Sequence, residues 1–101
     1  MISMCLINEK ICKYFNVELN YPFQNNRKVR VIYMRQIFHY LSRELNKLQF
    51  SFATIGKYNS TLKTYHHATV MNSCKTIKGY IDVHPHVRKD VESIIKMIYE
   101  Q

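Results

Sequence analysis

His66, His67, Ala68 and Thr69 are consecutive, and the apolar residues that follow them repeat as a helix repeats, with Lys75 and Lys78 on the same stretch. Side chains of this kind suit the edges of base pairs. The His67 imidazole and the Thr69 hydroxyl can hydrogen-bond base or phosphate, and Ala68 with the Thr69 methyl can pack against a thymine methyl. Upstream, Ile55-Gly56-Lys57-Tyr58 reads as the end of a short helix, followed by a polar gap from Asn59 to Thr64. A short helix, a turn and a second helix that opens on small, hydrogen-bonding residues is the pattern of a helix-turn-helix, whose second helix enters a DNA groove. Thr64 is placed to cap that second helix, and the positive end of the helix attracts a phosphate.

Other chemistries find little support. The glycines are Gly56 and Gly79 alone, so neither a phosphate-cradling loop nor a dinucleotide fingerprint can be written. Gly56-Lys57 is followed by Tyr58 rather than Ser or Thr. Carboxylates are scarce where the bases cluster, and Cys74 falls on an apolar stripe, where a thiol is inert. His84-Pro85-His86 and His66-His67 have no Cys-x-x-Cys partner at zinc spacing. The expectation is a non-enzyme that needs no cofactor, metal or small-molecule substrate.

The elements that must position the site are helical. Ile7, Ile11 and Phe15 predict a first helix over 3–16. The stretch 19–26, with Pro22 and several amides, reads as a linker crossing the surface. Met34, Ile37, Phe38, Leu41, Leu45 and Leu48 mark one face of a long helix over 29–47, with Arg35, Arg43 and Lys47 opposite. Phe52 and Ile55 belong to a short third helix ending near Asn59. Val70, Cys74, Ile77 and Ile81 mark a fourth over 65–80. Pro85 opens a fifth, with a buried stripe of Val87, Val91, Ile94 and Ile98.

The 101 residues suit one domain spanning 1–101, and 47% hydrophobic content is enough for a core. No apolar run is long enough to span a membrane, and the first ten residues lack the pattern of a secretory signal. Three cysteines without a Cys-x-x-Cys pair suggest reduced thiols in a cytoplasmic protein. The net charge of +8 is unevenly placed. Between Gln24 and Tyr80 stand ten lysines and arginines and a single acid, Glu44. A polyanion is the natural partner, since neutralising phosphates releases condensed counterions. Arg27, Lys28 and Arg30 form a basic approach suited to a minor groove, and Arg35 with Gln36 is placed to clamp the DNA backbone.

Taken in order, Ile11-Cys12-Lys13-Tyr14-Phe15-Asn16-Val17, Arg35-Gln36-Ile37, Leu41-Ser42-Arg43-Glu44-Leu45, Ile55-Gly56, His67-Ala68-Thr69-Val70 and Cys74-Lys75-Thr76-Ile77 resemble the C-terminal DNA-binding domain of the bacterial replication initiator DnaA. The resemblance implies an all-α, five- or six-helix fold related to the Trp repressor. It implies that Arg27 reads the minor groove, that Arg35, Gln36 and Arg43 hold phosphates, and that His67, Ala68 and Thr69 lie at the major groove or the adjoining backbone. The family's Gly-Gly-Arg-Asp before the histidine is replaced by Lys63-Thr64-Tyr65-His66, which removes contacts that specify the family's short box sequence. The family's ATPase and oligomerisation domains have no counterpart in this stretch, so a small DNA-binding protein, of a mobile element or cut from a longer chain, is expected.

The expected function is binding of double-stranded DNA in replication initiation control or transcription regulation, in the cytoplasm and nucleoid of a bacterial or phage-infected cell. The expected contact set is Arg27, Lys28, Arg30, Arg35, Gln36, Arg43, Lys57, Lys63, Tyr65, His66, His67, Ala68 and Thr69, with replication proteins as further partners. The alternative keeps the fold as a protein-interaction module for an acidic replication partner.

Overall fold

A computed structural model describes residues 1–25, 27–47, 49–58 and 64–100. Among them are five α-helices, α1 (Met4–Phe15), α2 (Val29–Glu44), α3 (Phe52–Gly56), α4 (His67–Val83) and α5 (Pro85–Tyr99), with a 3₁₀ turn at Tyr21–Phe23. The all-α expectation holds.

Local chemistry sets the ends of α1. The Ser3 hydroxyl accepts from the Leu6 amide, and Asn16 closes the helix in the left-handed region at φ 57°, a conformation that asparagine tolerates better than most residues. Ile7 and Ile11 point into the core. The segment after α1 departs from the expected surface linker. Pro22 lies in the 3₁₀ turn and Phe23 is buried, its ring edge-on to Phe38 at 5.1 Å. A large aromatic gains more from burial than a short connection gains from staying in water.

α2 is the central strut. Met34, Ile37, Phe38 and Leu41 are fully buried, as their spacing predicts. The helix ends at Glu44, earlier than expected. Leu45–Lys47 form a turn instead, and the Asn46 amide there bonds both the N–H and the carbonyl of Ile2. Leu48 lies outside the described residues. α4 packs against α2, and α5 packs on α4 and α1 with Val87, Val91, Ile94 and Ile98 inward. The Asp90 carboxylate accepts from the Tyr14 and Tyr33 hydroxyls, both at 2.7 Å, so it joins α1, α2 and α5.

Candidate nucleic-acid interface

The helix-turn-helix is α3 and α4, and its geometry rests on one backbone contact. The Tyr65 amide donates to the Gly56 carbonyl at 2.8 Å. The two backbones lie so close that a Cβ on Gly56 would collide with the Tyr65 carbonyl oxygen. Only glycine fits there, so the chain leaving α3 returns to a fixed point from which α4 begins. Thr64 is not the cap. His66 takes that role, its Nδ1 accepting from the Ala68 amide at 3.2 Å. The His66 and His67 rings lie 4.2 Å apart, both exposed.

Tyr65 is the clearest correction to the expected contact set. It is only 7% exposed, edge-on to the His39 ring at 5.5 Å, with the Arg35 guanidinium 4.9 Å from its own ring centre. It packs inside the turn rather than facing a groove, because the close approach at Gly56 draws its backbone inward.

The inward stripe of α4 is Val70, Ser73 and Ile77, with Cys74 and Ile81 half-buried. The outward face carries Ala68, Asn72, Lys75 and Gly79, all exposed and spaced as one helical face, with His67, Thr69 and Lys78 flanking it. Asn72, Lys75 and Lys78, outside the expected contact set, share this exposed side of α4 with Ala68 by helical spacing.

The rotation of α4 about its axis is fixed by a buried polar chain. Ser73 Oγ donates to the Thr69 carbonyl at 3.1 Å, and His39 Nδ1, 2.9 Å away, then donates to Ser73 Oγ. Burial, and then the charge of Arg35, push the His39 pKa down to about 3, so the ring is neutral. The Cys74 thiol donates to the His39 carbonyl at 3.5 Å, and burial raises its pKa to about 11. Such a thiol is a poor nucleophile.

The basic residues fall into two groups at the two ends of α2. Arg27 and Lys28 are exposed just before the helix, and Arg30 is exposed in its first turn while donating to the Phe15 carbonyl at 2.7 Å. Arg43 stands roughly 20 Å further along at 1.5 Å rise per residue. It is half-buried, donates to the Phe50 carbonyl at 2.8 Å and lies over the Phe52 ring. With Glu44, Lys75 and Lys78 it borders a shallow cavity of about 170 Å³.

Arg35 lies between the groups and is largely committed to the fold. Its Nε donates to the Pro22 carbonyl at 3.0 Å and its Nη2 reaches the Gln24 carbonyl at 3.5 Å. Gln36 is half-buried beside Tyr80, away from the first turn of α4. Lys57 is exposed directly after α3, and Lys63 lies outside the described residues.

Among the described residues no three His, Cys, Asp or Glu side chains group as metal ligands, and no helix is long and apolar enough to cross a membrane.

The arrangement has relatives. The family model described as "Bacterial dnaA protein helix-turn-helix" matches residues 4–77. The chain is 34% identical over 88 residues to the chromosomal replication initiator protein DnaA of Bacteroides thetaiotaomicron, a match covering 87% of this chain and 18% of the relative. The Bacteroides fragilis protein of the same name is 36% identical over 84 residues, covering 83% and 17%. That of Caldanaerobacter subterraneus subsp. tengcongensis is 32% identical over 97 residues, covering 96% and 20%. The chain thus spans about a fifth of the length of the curated relatives it matches. With α1 to most of α4 inside the family match, and a glycine-welded turn feeding an outward-facing α4, this chain belongs to the bacterial DnaA helix-turn-helix family.

Proposed function

We propose that the chain binds double-stranded DNA in a sequence-reading manner, with the outward face of α4 in the major groove and Arg27, Lys28 and Arg30 at a neighbouring minor groove or phosphate. The observation that carries this reading is the outward face itself. Ala68, Asn72, Lys75 and Gly79 offer methyl, amide, ammonium and bare backbone in succession, with no carboxylate among them. His67 and Thr69 complete the first turn, where recognition helices commonly approach base edges. Asn72 has the amide that pairs bidentately with adenine, and Lys75 reaches guanine or phosphate. Arg43, Lys75 and Lys78 supply a phosphate-binding border on one flank. Lys57 extends the positive charge beside the turn. Replication initiation control is the role that the names of the relatives suggest.

The test is fluorescence anisotropy with a pool of random duplexes at two salt concentrations, followed by sequencing of the bound fraction. The expected result is an enriched short motif and a steep loss of affinity with salt. His67→Ala and Asn72→Ala should each relax the motif. Absence of binding at low salt, or a motif unchanged by both substitutions, overturns the reading.

A further inference from the structure

A groove of about 650 Å³ lies between the N-terminal half of α2 and the corner where α4 meets α5. One wall is Val29, Ile32, Tyr33 and Gln36, spaced i, i+3, i+4 and i+7 along one face of α2, which the α4–α5 corner covers only in part. The other wall is Tyr80, His84, His86 and Val87. Val29 is 85% exposed and Tyr80 is 40% exposed. Tyr80 and His84 stand edge to face at 5.2 Å, and His84 lies 5.7 Å from His86. We propose that this groove docks an acidic amphipathic helix of a partner protein.

Shape and charge select that occupant. A wall with helical spacing over about two turns accepts a second helix, whose own i, i+4 and i+7 side chains drop between Val29 and Tyr80. The volume suits one or two bulky apolar anchors. No carboxylate lines the groove, while His84 and His86 stand on its rim and can donate to carboxylates of the incoming helix. A second copy of this chain is a poor occupant, because each copy carries +8 and like charges repel. Duplex DNA is also a poor occupant, since aliphatic walls offer phosphates few donors. The groove opens on a different side of α4 from Ala68, Asn72 and Lys75, so it is separate from the proposed base-reading face.

The experiment titrates the full, isotopically labelled chain with two synthetic 16-residue helical peptides, following amide chemical shifts. Both peptides carry Leu and Phe at the same i, i+4 and i+7 positions, with a polar face of Glu in one and of Lys in the other. The Glu peptide is expected to shift amides of 29–36 and 80–87 and to bind at least tenfold more tightly than the Lys peptide. Tyr80→Ser and His86→Glu should each weaken it at least fivefold, with the thermal midpoint unchanged for His86→Glu because that side chain is exposed. Equal binding of the two peptides, shifts centred elsewhere, no shifts at all, or indifference to both substitutions overturns the proposal.

Discussion

At its first turn α4 presents His66, His67 and Thr69 to solvent, whereas near its other end it presents Tyr80 beside His84. The first turn is held by a close backbone approach and by polar side chains: the Gly56 contact, the His66 cap and the chain from His39 through Ser73 to Thr69 all converge there. At the other end, His84 serves both as the last cap of α4 and the first of α5, and an open groove is left beside it. A polar surface proposed to read bases gains from rigidity, since each misplaced donor loses its hydrogen bond. An apolar groove tolerates some slack, because burial has no preferred direction.

The largest expected effect comes from breaking the rigid end. Gly56→Ala should destabilise the chain by about 3 kcal/mol or more, because backbone must move. At about 4–8 °C per kcal/mol, thermal unfolding would show it plainly. An unchanged midpoint would mean the close approach at Tyr65 is wrong.

Ser73→Ala comes next. It strands the buried His39 Nδ1–H, an expected loss of about 1–3 kcal/mol in denaturant unfolding. His39 also predicts a pH dependence. Its folded pKa, about 3, lies below the ordinary 6.5, so between those values the unfolded chain binds a proton that the folded chain does not. Its contribution is therefore intact above about pH 6.5 and is lost as pH falls toward 3, by up to about 1.4 kcal/mol per unit. His39→Gln should flatten that slope, and an equally steep curve would count against a neutral buried ring.

On the outward face, Lys75→Ala should reduce the slope of log affinity against log salt by about 0.9 if that ammonium holds one phosphate. An unchanged slope would remove Lys75 from the interface. The smallest effect is at Gly79, where a Cβ would meet nothing. Gly79→Ala should therefore stabilise the helix by up to about 1 kcal/mol. A simultaneous loss of duplex affinity would place DNA close against that turn, and unchanged affinity would confine the reading surface to the first turns of α4.

Much of the helical plan was legible because burial repeats with the helix. The stripes Ile7-Ile11, Met34 to Leu41 and Val87 to Ile98 all turned inward as their spacing required. Phe23 was hidden from that logic, since a three-residue turn has too little length to show a period. The exposure of the candidate contact residues was legible only in part. His66, His67, Ala68 and Thr69 are exposed as expected, but Tyr65 beside them is not. Arg35 looked like a phosphate clamp, and it spends its donors on the Pro22 and Gln24 carbonyls. Arg35→Ala is consequently a poor probe of DNA contact, because lost binding would be mixed with a loosened fold.

The sequence by itself determined the helices, their inward faces, the excess of positive charge in the middle of the chain and the glycine at the turn. Those are local or periodic properties, written in residue type and spacing. Tertiary structure alone decided that Tyr65 goes in and His66 caps, that His39 holds Ser73, and that a groove stays open between α2 and the α4–α5 corner. Each of these depends on which backbone passes within a few ångströms of another, and residues far apart in sequence carry no mark of that until the chain has folded.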